Sequence, residues 1–247
     1  MENVLNLVQK FKEEFQRLVR ILEDLDYKIY WDTVNSYDNN LPQNRPRVYL
    51  VGFHTTVQPS LKERPFVFPS KLGHRVSLQQ CLEKHVDPSG VKRTAQLTER
   101  GKRAVEAALE CAEGEYGINI KKVPIVTDVD ASQKFASWTA GYLPCITATR
   151  GTSGGFHVSS CDRKTALTEL MRCQGMNPAG QLKDWSRYMT AAQLGHAVGN
   201  AMSVTVLERI FQRALFSTGF LDKELKDKHM SETYKPAFLE WFGLPCA

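Results

Sequence analysis

The chain has 247 residues, 42% hydrophobic and 24% charged, enough to bury one large core or two small ones and too apolar for a disordered tail. Sixteen glycines and 11 prolines exclude collagen-like and low-complexity architectures. Thirty-two Lys and Arg against 27 Asp and Glu leave a net charge of +5, mildly basic and compatible with nucleic acid without requiring it.

Leu5, Val8, Phe11, Phe15, Leu18, Leu22 and Leu25 recur at three- and four-residue steps. The spacing predicts one amphipathic helix over 5–25. Tyr27 to Val34 is β-branched and aromatic and predicts a strand. After the turn-rich NSYDNNLP, Arg47 to Phe53 predicts a second strand whose apolar run implies burial on both faces. Helix, strand, loop, strand is an α/β rhythm.

Three prolines in 55–75 (Pro59, Pro65, Pro69) mark a boundary or a long irregular connection. Beyond it, a helix is expected over 97–116 and strands over 118–129 and 135–149. A Gly/Ser-rich loop follows at 150–155 (RGTSGG), then helices over 165–173 and 191–215, with a last short one within 224–241. Lys10, Lys12, Glu13 and Glu14 interrupt the first apolar residues, which argues against a secretory leader. The uncharged stretch 188–207 is too polar to span a bilayer, because it holds Gln193, His196 and Asn200. The six cysteines show no CxxC spacing, so a soluble intracellular protein with reduced thiols is expected, in the nucleus if eukaryotic and the cytoplasm if bacterial.

Several segments could carry chemistry. Gln43, Arg45 and Arg47 alternate where a loop enters a strand, so their side chains should share one side. Two guanidiniums and an amide there could bind a phosphate, a carboxylate or a base edge, or form an ordinary basic strand end. The glycines of Gln193 to Met202 (QLGHAVGNAM) could admit a ligand or a close helix contact. RGTSGG offers backbone N–H groups and one Arg but lacks the P-loop lysine. Cys81 and His85 have ligand spacing with no matching second pair, so no metal is assigned.

In order along the chain, these segments resemble the C-terminal half of a cytosine-C5 DNA methyltransferase. Glu2-Asn3-Val4 matches that family's ENV block, and Gln43-Asn44-Arg45-Pro46-Arg47 its QxRxR block. Pro144-Cys145-Ile146-Thr147, with Arg163, Glu169, Arg172, Gln174, Gly175 and Met176, resembles the end of its target-recognition region. Gly199-Asn200-Ala201-Met202-Ser203-Val204 resembles its final block.

The resemblance implies an α/β fold: the C-terminal portion of a Rossmann-like S-adenosylmethionine-dependent methyltransferase domain plus a smaller target-recognition domain. Its parts would be catalytic-domain strands in 1–54, a target-recognition domain in 55–190, and a helical segment returning to the catalytic domain in 191–247. It implies transfer of a methyl group from S-adenosylmethionine to C5 of a cytosine flipped out of double-stranded DNA. Glu2 would engage N3 and the exocyclic amine, Arg47 the O2, and Arg45 would support the pocket. Asn200, Ala201 and Met202 would border the cofactor. DNA contacts would come from Arg150, Thr152, Ser153, Arg163 and Gln174, with Lys92-Arg93, Lys102-Arg103 and Lys121-Lys122 along the backbone or merely solvated.

The family's cofactor loop and Pro-Cys nucleophile block precede ENV and do not occur in these residues, and Pro144-Cys145 matches a different segment. The expectation is therefore a chain that works only with an N-terminal methyltransferase half, present as a separate subunit or as missing sequence. Without it the stripe of helix 5–25, whose burial is worth on the order of 10 kcal/mol, should lack its covering surface and leave the chain unstable alone. A catalytically inactive DNA-binding or regulatory module is the alternative. Methylation of tRNA ranks last, because the Cys-Phe-Thr signature of that branch does not occur.

Overall fold

The structure is a computed structural model; it describes residues 1–84, 86, 91–132 and 137–234. The chain divides into two compact units. The first comprises 1–40, 45–74 and 202–234, and the second 41–44 and 75–201. The divisions thus fall at 74/75 and 201/202, whereas the sequence suggested 54/55 and 190/191.

In the first unit, β1 (Glu2–Val4), β2 (Tyr27–Asn35) and β3 (Pro46–His54) form an antiparallel sheet in the order β1-β3-β2. Both predicted strands are present and slightly longer than expected. β3 is central, and its consecutive Val48, Tyr49 and Leu50 are all buried, so burial on both faces holds. The expected helix over 5–25 is instead two: α1 (Asn6–Gln9) and α2 (Lys12–Asp24). Phe11 breaks them with a non-helical backbone (φ −114°, ψ 50°). Part of its stripe finds a surface on the sheet. Phe15 is buried with Val48 and Leu50, and Leu5, Val8, Val19, Leu22 and Ile29 pack around them. Phe11 and Leu25 of the predicted stripe remain exposed.

A second cluster in this unit joins Val34, Tyr49 and Phe53 to Leu61, Phe66, Val206 and Ile210. Here 55–74 holds a 3₁₀ turn, helix α3 (Gln58–Glu63) and irregular chain, so the proline-rich segment does pack. Arg209 anchors the unit from inside. It is 1% exposed and bonded to Asp227 at 2.7 Å, to the Ser70 carbonyl and to Asn39. A cation so enclosed must be paired and hydrogen-bonded.

The second unit holds α4 (Leu78–Cys81), α5 (Glu99–Glu110), β4 (Ile125–Thr127), β5 (Trp138–Ala140), α6 (Ala148–Thr152), β6 (His157–Val158), β7 (Arg163–Lys164), α7 (Leu167–Cys173), α8 (Pro178–Trp185) and α9 (Ala191–Asn200). Its sheet is antiparallel, in the order β5-β4-β6-β7. The strands expected over 118–129 and 135–149 shrink to β4 and β5. α6 occupies the end of the second range and half of the supposed Gly/Ser loop. The helix expected over 191–215 is likewise two: α9, then α10 (Val204–Ser217), which belongs to the first unit. Of the last expected helix, 224–234 contains a 3₁₀ turn at Lys228–Met230, and the rest lies outside the described residues.

Close approach explains the glycines of α6 and α9. A Cβ on Gly151 would stand 1.8 Å from the Gly195 carbonyl oxygen, and one on Gly199 would stand 2.2 Å from that of Thr147. Only glycine permits such backbone contact. Among the described residues, no helix is long and apolar enough to cross a membrane.

Candidate functional site

The first unit gathers Glu2, Arg45, Arg47 and Tyr49 on one face of its sheet. The register sets Glu2 directly opposite Tyr49, so the two side chains share a face, and two-residue steps along β3 put Arg47 on that face too. The Glu2 carboxylate stands 3.2 Å from Nε of Arg47 and 3.7 Å from Nη2 of Arg45. Arg45 is buried, while the Glu2 and Arg47 side chains each keep 13% of their surface open. Two cations of fixed orientation thus hold one carboxylate, with Glu2 and Arg47 still within reach of solvent.

Tyr49 carries no sequence signal beyond its place in an apolar strand. Its hydroxyl is pushed well above the usual phenol range, first by burial and then by the Glu2 charge. It stays a neutral neighbour of the ion pair. Asn35, also missed from sequence, closes β2: its side-chain oxygen accepts from the backbone N–H of Arg45 at 2.9 Å and of Tyr37 at 3.2 Å. Asn at a strand end followed by Ser was the available clue.

Gln43 does not join the arginines, which corrects the shared-side expectation. Entirely buried in the second unit, it donates to the Cys173 carbonyl and to Gln174 and accepts from the Ile146 N–H at 3.1 Å. Gln43 precedes β3 and is instead drawn into a separate parallel bridge with Leu143 of the second unit.

Arg163 and Gln174 had been expected to contact DNA, and the structure gives both interior partners instead. The Arg163 guanidinium makes two bonds to the Glu169 carboxylate, at 2.7 and 2.9 Å, and a third to the Glu83 carbonyl. Glu169 is wholly buried and also accepts from the backbone N–H of Glu83 and Ala166. Gln174, also wholly buried, donates to the Val198 carbonyl at 3.0 Å. Arg172, in turn, holds Glu83 at 2.6 Å.

Arg150 and Thr152 lie in the last turn of α6, helix rather than loop, and Ser153 caps it. The Nε of Arg150 is bound to Asp128 at 2.7 Å, and Thr152 and Ser153 are exposed. Asn200 is exposed at the end of α9, Ala201 follows it half-buried, and Met202, in the first unit, is 40% exposed. His85 lies outside the described residues, and among those described no group of three His, Cys, Asp or Glu could hold a metal ion.

The family model of the C-5 cytosine-specific DNA methylases matches residues 1–215. A type II methyltransferase of Neisseria gonorrhoeae, M.NgoBI, is 28% identical over 197 residues, which are 78% of this chain and 53% of that protein. M2.ScrFI of Lactococcus lactis subsp. cremoris is 32% identical over 117 residues, 47% of this chain and 30% of that one. The chain therefore spans about half or less of the length of these curated relatives. Among solved structures, the methyltransferase EhMeth of Entamoeba histolytica superposes with a TM-score of 0.54 at 15% identity, over 87% of this chain and 61% of that one. The Dnmt2 methyltransferase of S. pombe gives 0.50 at 16%, over 87% and 66%. At such identities these two likenesses concern the fold: an α/β methyltransferase fold.

Proposed function

The chain belongs to the C-5 cytosine-specific DNA methylases, and from that premise we propose that it forms the base-holding and DNA-recognising part of a DNA (cytosine-5-)-methyltransferase. The observation that carries this reading is the Glu2–Arg45–Arg47 cluster: the two blocks that resemble the family's, 40 residues apart in sequence, meet across β1 and β3 with a carboxylate between two guanidiniums.

The chemistry follows from that geometry. Attack on C6 of cytosine pushes electron density into the ring toward N3 and O2. A carboxyl at N3 and the exocyclic amine can share a proton with the ring as density arrives there, which is the role of Glu2. The Arg47 guanidinium, partly open beside it, donates to O2 and holds the carboxylate in place. Arg45, buried behind them, fixes Glu2 from the other side. Such donors are oriented before reaction, so they stabilise developing charge without reorganising. The base must leave the duplex to reach them. Tyr49, held neutral, brings no competing charge to the cluster.

S-adenosylmethionine supplies the methyl group when bound. By the resemblance of the block that holds them, Asn200, Ala201 and Met202 keep a proposed place beside that molecule. The attacking sulfur and most of the cofactor's cradle come from an N-terminal methyltransferase half, on the same longer polypeptide or on a second one. The exposed Thr152 and Ser153, at the end of α6, remain proposed DNA contacts in the second unit, while Arg150 is half-buried against Asp128.

The test is complementation. The chain is mixed with a family fragment bearing the cofactor loop and the Pro-Cys block, and transfer of labelled methyl groups to duplex DNA is measured. Methyl transfer that is lost with Glu2→Gln supports the proposal. A stably assembled pair that binds DNA without transferring methyl would overturn it in favour of a binding or regulatory module.

A further inference from the structure

Helix α5 wears its charges in reverse. Arg100, Lys102 and Arg103 crowd its first turns, whereas Glu106 and Glu110 lie near its end, followed by Glu113 and Glu115. The helix dipole favours the opposite order, by roughly 0.3–1 kcal/mol per charge. Glu99 offsets this locally by pairing with Lys102 at 2.8 Å and, more weakly, through the charge of Arg103, but among the described residues neither Arg100 nor Arg103 makes a contact salt bridge. Both are exposed. A local rule broken without local compensation points to a use outside the helix.

The two arginines share a face with Ala104 and Ala107, at steps of three, four and seven. This face borders an open groove of about 470 Å³ whose other wall carries Asp128 and Val129. Alanines leave the groove floor open, and the Asp128 charge is neutralised by Arg150. The result is a cleft with two exposed guanidiniums at its rim, Arg103 also donating from Nε to the Glu99 carbonyl, and its acid cancelled. A guanidinium fork fits the paired oxygens of a phosphodiester.

Resting on the methyltransferase reading above, we propose that this groove seats the phosphate backbone of duplex DNA, with Arg100 and Arg103 each contacting one phosphate. Arg150 is a positioning residue: by holding Asp128 it keeps that carboxylate from repelling the strand.

The experiment is fluorescence-anisotropy titration of the full chain with a short duplex across a range of salt concentrations. Each phosphate contact contributes roughly 0.9 to the slope of log affinity against log salt. Arg100→Gln/Arg103→Gln should therefore lower the slope by about 1.8, so that a fourfold rise in salt costs the original chain about 12-fold more affinity than the variant. Arg100→Lys/Arg103→Lys should keep most of the slope, and Arg150→Gln should weaken binding. Lys12→Gln/Arg20→Gln removes the same charge from the first unit and should leave the slope unchanged. An unaltered slope in the Arg100/Arg103 variant, or an equal loss in the Lys12/Arg20 control, overturns the groove while leaving the methyltransferase reading intact. No duplex binding by the original chain, either alone or assembled with the family fragment of the complementation test, would overturn both, and tighter binding to an acidic peptide than to duplex would replace the ligand.

Discussion

The two compact units spend their apolar side chains differently. In the second, Leu78, Cys81, Val126, Leu143, Ile146, Phe156, Val158, Leu170 and Met171 form one dry core, each 1% exposed or less. In the first, the clusters are smaller, while Phe11, Ile21, Leu25, Trp31, Phe211, Leu215 and Phe220 stand open. Among the described residues, all but four of the exposed large hydrophobic ones lie there, the exceptions being Tyr116, Trp185, Tyr188 and Met189. The second unit also cancels its buried charges internally, through Arg163–Glu169 and Arg172–Glu83. The first places its half-open ion cluster on a sheet whose outer strand is only three residues long. One unit is finished by its own residues. The other holds the proposed base-holding cluster and exposes most of the large apolar side chains.

The sharpest way to break this contrast is to spoil the interior charge balance of the second unit. Glu169→Gln should cost roughly 3–5 kcal/mol, because it strands a buried guanidinium. Urea unfolding would check this, and a loss below about 1 kcal/mol would show that the pair is not structural. Glu2→Gln should do the reverse. In the complemented enzyme it should lower methyl transfer by about 10²-fold or more with a smaller change in the unfolding midpoint than Glu169→Gln, since Glu2 and Arg47 remain partly solvated and the amide oxygen can still face Arg45. An equal drop in stability would place Glu2 in the fold rather than in the reaction.

Gly195→Ala should destabilise the second unit by roughly 1–3 kcal/mol. Its Cβ would sit 2.1 Å from a backbone oxygen of Gly151, so α6 and α9 must separate. Hydrogen exchange should localise the damage to those two helices. The smallest effect concerns pH. Burial pushes the His157 imidazole below its ordinary 6.5, and the Asp162 charge only partly opposes this. The unfolded chain then binds the proton more readily than the folded one. Stability from this residue is complete above about pH 6.5 and is lost as pH falls toward the lowered value. His157→Gln should flatten that acid limb in a series of thermal melts, and an unchanged limb would assign it to other groups.

How far the sequence reached differs by element. The strands at 27–34 and 48–53 were legible because β-branched and aromatic runs fit only a pleated, half-buried surface, and their true bounds differ by a residue or two. The Glu2 and Arg47 pair was legible through the resemblance of its blocks. The single helix over 5–25 and the single helix over 191–215 were not, because an apolar period carries through a break such as Phe11 or Ala201–Ser203 without a proline to mark it. The glycines of 150–155 suggested a loop, whereas Gly151 serves helix packing.

What the sequence alone determined is local: period, strand propensity, charge, and the order of short blocks that resemble the family's. Tertiary structure decided which polar residues face inward. Arg163, Gln43 and Gln174 look no different in sequence from Arg47, yet two of them are wholly enclosed and the third is 7% exposed. Their fate depends on partners as far as 131 residues away. Burial is a property of such pairings, and a buried charge is tolerable only once its counterpart has been brought to it.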